Sequence, residues 1–127
     1  MIPEILVNLD IQCAEAGRKL AESLKEAEKV LNAEKVLNDA LAVLEEQGPY
    51  AMFLYVRARH KEVASRFEES LGELLRSTLN LGGNDVNDVM EMAKRAADEL
   101  DTLLFARDLL RNALVYARFH LKAQGGE

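Results

Sequence analysis

The chain has 127 residues, 49% of them hydrophobic and 30% charged, with a formal net charge of −6. That length suits one domain with its own core, and the composition excludes a disordered chain. The acidic balance argues against nucleic-acid binding through a long-range positive field, and a lone Cys13 excludes an internal disulfide framework.

Helix formers dominate and no β-branched alternation suggests a strand, so the expectation is an all-α protein. Pro3 suits the first turn of a helix. From there Leu6, Leu9, Cys13, Ala16, Leu20, Leu24, Ala27 and Leu31 step by three and four, one apolar stripe on a long first helix. Gly17 interrupts it and marks a place for close packing. Asn32 is a candidate break, capping a second helix over about residues 33–46, with Val36, Leu37, Ala40, Leu41 and Leu44 inward. The echo of EKVLN at Glu28–Asn32 and Glu34–Asn38 is too brief for a solenoid.

Gln47-Gly48-Pro49 reads as a stop followed by a restart. The next stretch, Tyr50 to about Ser65, is apolar almost all round at its start and is expected to be the most buried. It is the longest apolar run, seven residues from Tyr50 to Val56, far short of the roughly 20 that span a membrane. A fourth stretch, Val63 to Leu79, carries Val63, Phe67, Leu71, Leu74 and Leu75. The spacing leaves its boundary with the third open. Leu81-Gly82-Gly83-Asn84-Asp85 is a loop, and Asn84 or Asp85 can cap the last helix. Val86, Val89, Ala93, Ala96, Leu100, Leu103, Arg107, Leu110, Leu114, Ala117 and Leu121 then follow one stripe. A single helix of that length exceeds about 50 Å. The tail, residues 124–127, is expected to fray. The architecture expected is a single helical domain over 1–127, an antiparallel bundle of four to five helices with long first and last helices.

The Met1–Glu4 start lacks the positive charge that opens a secretory signal, which fits a cytoplasmic protein. No catalytic or cofactor motif is expected. Gly82-Gly83 lacks the Gly-Lys-Ser/Thr of a phosphate loop, no Glu-x-x-His pair exists for a di-iron site, and Cys13, His60 and His120 are too scattered for zinc. The Arg–His spacings, Arg57 to His60 and Arg111 to His120, do not match helical ribonucleases of the HEPN class. The expectation is a non-enzyme without a metal or cofactor.

Two basic segments stand out in the acidic chain. Residues 49–66 carry a net +3 through Arg57, Arg59, Lys61 and Arg66, with His60 among them. Residues 107–127 carry a net +2 through Arg107, Arg111, Arg118 and Lys122, with His120. Arg107 is the one polar residue in the last apolar stripe. It either snorkels at the stripe's edge or pairs with a carboxylate, or it faces a partner. With Arg111, Arg118 and Lys122 it shares roughly one side of the helix, and Arg grips phosphate bidentately. Each segment also reads as an ordinary solvated helix face. Tyr50, Phe53, Tyr55, Tyr116 and Phe119 read as core aromatics before they read as stacking groups.

Three stretches carry a resemblance. They are Cys13-Ala14-Glu15-Ala16, then the run from Gln47 through Gly48 and Pro49 to Tyr55, and then Ala106 to Phe119 with its aromatic-plus-basic end. Together they resemble the small helical subunit of the type III-B (Cmr) CRISPR effector complex. The resemblance implies a non-catalytic subunit that stacks along the complex, beside the other effector subunits, and lines the path of the guide RNA–target RNA duplex. It also implies backbone contacts from Arg57, Arg59, Lys61, Arg66, Arg107, Arg111, Arg118 and Lys122. A helical protein–protein adaptor or scaffold without nucleic acid is the competing expectation.

Overall fold

The computed structural model describes residues 4–27, 30–79 and 88–123. Six α-helices account for nearly all of them: α1 (Glu4–Ala27), α2 (Val30–Gln47), α3 (Pro49–Arg59), α4 (Lys61–Leu79), α5 (Val89–Ala96) and α6 (Leu100–Ala123). No strand occurs among the described residues. Among the described residues the count is six, against an expected four to five. The expectations at Pro3, at the Leu81–Asp85 loop with its Asn84 or Asp85 cap, and at the 124–127 tail lie outside the described residues. No described helix is long and apolar enough to cross a membrane.

Local chemistry explains each described boundary. Asn32, the candidate break, lies inside α2. Gly48 closes α2: its N–H donates to the Leu44 carbonyl at 3.0 Å, and its φ of 98° lies in the left-handed region where a Cβ is costly. Pro49 then opens α3, as its fixed φ favours. The boundary the spacing left open falls at His60, which leaves helical geometry with φ −132° and ψ 57°. Asp88 caps α5 by accepting from the Met90 N–H at 2.9 Å.

The single last helix is corrected by a turn at Ala97–Glu99. The Asp98 N–H reaches the Arg95 carbonyl at 3.2 Å, and the Glu99 carbonyl receives the Leu103 N–H at 2.9 Å, which starts α6 afresh. A continuous rod would overshoot the other elements, none longer than 24 residues. The turn lets the short α5 and the longer α6 each lay an apolar face on the same core. Leu100, on the sequence stripe, is left 68% exposed by it.

The core is one continuous cluster drawn from all six helices, with Leu20, Leu24, Leu37, Leu44, Met52, Phe53, Phe67, Leu71, Leu75, Met92, Leu110 and Leu114 fully buried. The third segment is less uniformly buried than its sequence suggested. Met52, Phe53 and Val56 face in, while Tyr50 and Leu54 face solvent.

Helix directions follow from paired contacts. Cys13 Sγ lies 3.6 Å from the Leu109 carbonyl oxygen, and Gly17 sits against Ala113 and Ala117. These pairs advance together, so α1 and α6 run in the same direction. Gln12 pairs with Ser77, Lys19 with Glu73 and Ser23 with Arg66, so α4 runs against α1. A Cβ added at Gly17 would lie 2.6 Å from the Ala113 oxygen and 2.8 Å from the Ala117 nitrogen. Both are backbone atoms with no freedom to yield, so glycine is what lets the two helices close.

Candidate nucleic-acid interface

Helix α6 carries four of the eight candidate cations. At 100° per residue, Arg107, Arg111, Arg118 and Lys122 fall within about 60° of one another. The buried face, from Ala106 to Leu121, is centred roughly 110° around the helix from this row and adjoins it, with Leu114 about 20° from Arg107. The expected row is therefore real, but its members differ in what they touch.

Arg111 is committed inside the molecule. Its Nε donates to Glu45 on α2, and its Nη1 lies 3.1 Å from Asp108. The bond from Arg111 holds the Glu45 carboxyl below its ordinary value, over the opposing effect of burial, with the charges of Arg111 and then Arg107 assisting. Arg107 lines a cleft of about 330 Å³ with Gly48, Pro49, Tyr50, Leu103 and Leu104. Its Nε is buried with no hydrogen-bond partner among the described residues. Arg107 forms no ion pair among the described residues, and its charge reaches Glu45 only as a secondary effect. Arg118, half-buried, and Lys122, exposed, make no hydrogen bond or ion pair among the described residues.

The α3–α4 segment divides the same way. Arg57 donates from Nε to Glu68 at 2.6 Å and from Nη2 to Glu68 at 3.1 Å and Asp88 at 3.2 Å. It ties α3, α4 and the α5 cap together, and those partners, Glu68 first, push its guanidinium further toward the charged form. Arg66 donates to the Ser23 carbonyl at 3.0 Å and lies 3.6 Å from Glu26, which fastens the start of α4 to the end of α1. Arg59 and Lys61 are exposed and form no such bond among the described residues.

Topology brings the unpaired cations to one end of the bundle. The α3–α4 turn lies beside the middle of α2, where His60 Nε2 is 3.4 Å from Asp39 Oδ2. It also sits where α1 finishes, because Arg66 reaches Ser23. Since α6 runs with α1, Arg118 and Lys122 lie toward that same end, with Arg59 and Lys61. Asp39, although burial opposes its charge, keeps a lowered pKa through Lys35 and the His60 ring.

No group of three or more His, Cys, Asp or Glu residues that could hold a metal occurs among the described residues. Cys13 is buried, and its thiol is pushed up to about 11, by burial first and by the Asp10 charge second. It is poorly disposed to act as a nucleophile. Sequence reading gave Tyr116 and Phe119 the same bland role, and the structure separates them. Tyr116 packs beside Gly17 and donates its hydroxyl to Asp10 at 2.9 Å, whereas Phe119 is 62% exposed. The signal that could have found this is angular: Phe119 falls about 100° from Arg118, on the outer side of the helix.

Comparison of the chain with family models, with curated proteins and with solved structures returned no match in any of the three.

Proposed function

We propose that this chain is a non-catalytic small subunit of a type III-B (Cmr) CRISPR RNA-targeting effector complex, packing along the guide RNA–target duplex and contacting its backbone. The observation that carries the reading is the set of unpaired cations, Arg59, Lys61, Arg118 and Lys122, gathered at one end of an acidic chain. From Arg107 to Lys122 the α6 side of the surface extends about 22 Å, a span suited to successive phosphates. Arg57, Arg66 and Arg111 are spent on neighbouring helices and act here as braces that hold the surface rather than as its contacts.

The test is target-RNA binding by the assembled complex carrying R59E, K61E, R118E and K122E together. Binding should weaken by at least about tenfold at low salt, and the slope of log affinity against log salt should become shallower. Unchanged affinity and slope would refute the reading.

A helical adaptor without nucleic acid is the second reading. It is favoured by the exposed apolar side chains Tyr50 and Leu54 on α3 and Leu100, Leu104 and Phe105 on α6. Of these, Tyr50 and Leu104 line the Arg107 cleft, and exposed apolar residues that adjoin one another mark contact surfaces. L100D with L104D that abolishes co-purification with partner proteins, where the four charge reversals do nothing, would favour this reading.

A further inference from the structure

Three surface features lie outside the arginine braces: the Arg107 cleft, the His60–Asp39 contact at the α3–α4 turn, and the outer face of the C-terminal half of α6. The last carries the most. Between Leu109 and Ala123 there is no Asp or Glu, although the whole chain holds 22 of them. The same stretch holds Arg111, Arg118 and Lys122. In its midst Phe119 stands 62% exposed, and among the exposed large apolar side chains only Leu100 is more so. Val115, half-buried, lies one turn before Phe119 on the same side of the helix. Lys122 lies three residues on and Arg118 beside it, both without partners among the described residues.

We infer that Phe119 is a stacking platform for an unpaired nucleobase, with Arg118 and Lys122 holding the phosphates on either side of it. The inference rests on the nucleic-acid reading above and adds to it a single-stranded element. An exposed aromatic ring offers any base a flat apolar surface, and flanking cations fix the backbone. A duplex presents no free base face, so backbone contact alone gives Phe119 no task. The positive charge suits an acidic peptide as well as a phosphate, since both are anionic; the flat ring without a surrounding pocket decides for the base. A peptide side chain is held best in a desolvated socket, and Phe119 has none.

The experiment uses the full chain and two probes. One is a single-stranded RNA of about a dozen nucleotides carrying one 2-aminopurine, a length in the range such surfaces take. The other is an RNA duplex of the same length. The wild-type chain should bind the single strand at low salt and quench the 2-aminopurine. F119L should weaken single-strand binding by about tenfold and abolish the quenching, F119W should retain both, and neither should alter duplex binding or thermal unfolding. If F119L binds and quenches like the wild type, or if the wild type fails to bind the single strand, the stacking role is overturned. Should R118E with K122E weaken duplex binding while F119L changes nothing, backbone contact stands and stacking alone falls. Should F119L leave RNA binding intact but release the chain from its partner proteins, the ring is a protein contact and the inference is wrong.

Discussion

The two sides of α6 are built on opposite rules. The inner side, Ala113 and Ala117 against Gly17 of α1, is made of the smallest residues in the chain and brings backbones together. The outer side holds Arg118 and Lys122, which make no hydrogen bond or ion pair among the described residues, and the exposed Phe119. The α3–α4 segment shows what happens when similar cations face carboxylates: Arg57 and Arg66 become cross-links between helices. Equal charge in the sequence therefore stands for two different jobs. A guanidinium with a carboxylate across from it supports the fold, and one without remains free for a partner.

The largest effect should come from the inner side. Gly17→Ala gains about 1 kcal/mol of helix propensity, yet its Cβ meets backbone atoms that cannot move aside. A net loss of about 1–3 kcal/mol is expected, read as a lower urea midpoint at unchanged slope. A raised midpoint would show that the helices do not pack this closely.

Next comes the brace. Arg57→Ala should cost about 1 kcal/mol, the modest figure reflecting a side chain 40% exposed and screened by solvent. The gap between variant and wild type should narrow at high salt. A gap that persists undiminished would assign Arg57 to packing instead.

The Glu45–Arg111 pair gives a pH signature. Because the folded pKa of Glu45 lies below its ordinary 4.5, its contribution is complete above that value and is lost as pH falls through the lower folded one. Glu45→Gln should therefore lower stability at neutral pH and flatten the fall of the urea midpoint below about pH 4.5. Parallel curves for the two proteins would show that the pair is not formed in solution.

The smallest effect belongs to the outer side. R118A with K122A should leave stability within about 0.5 kcal/mol of wild type, since neither side chain has a partner among the described residues to lose. A larger loss would move both into the bracing class and remove the argument for a free interface.

Much of this was legible beforehand, for identifiable reasons. Gly48-Pro49 announced a turn because a left-handed glycine and a proline at a helix start have few other uses. The stripes of α1 and α2 named their buried faces because burial repeats every 3.6 residues. The row on α6 followed from spacing alone. The turn at Asp98 did not, because an apolar stripe can continue in register through a change of axis. Phe119 was read as core because an aromatic at helical spacing usually is, and only its neighbours reveal that none of them covers it.

The sequence by itself determined that the chain is helical, that one helix stops and another starts at Gly48-Pro49, and which sides of α1 and α2 face the core. These are local properties, set by capping residues, glycine, proline and the periodicity of apolar side chains. Only the tertiary structure decided that α1 and α6 run together through Gly17, that the long final stripe is two helices, and which cations are spoken for. Those outcomes depend on what lies across a contact, from Arg57 to Asp88 or from Tyr116 to Asp10, and such distances belong to the fold, not to the order of residues.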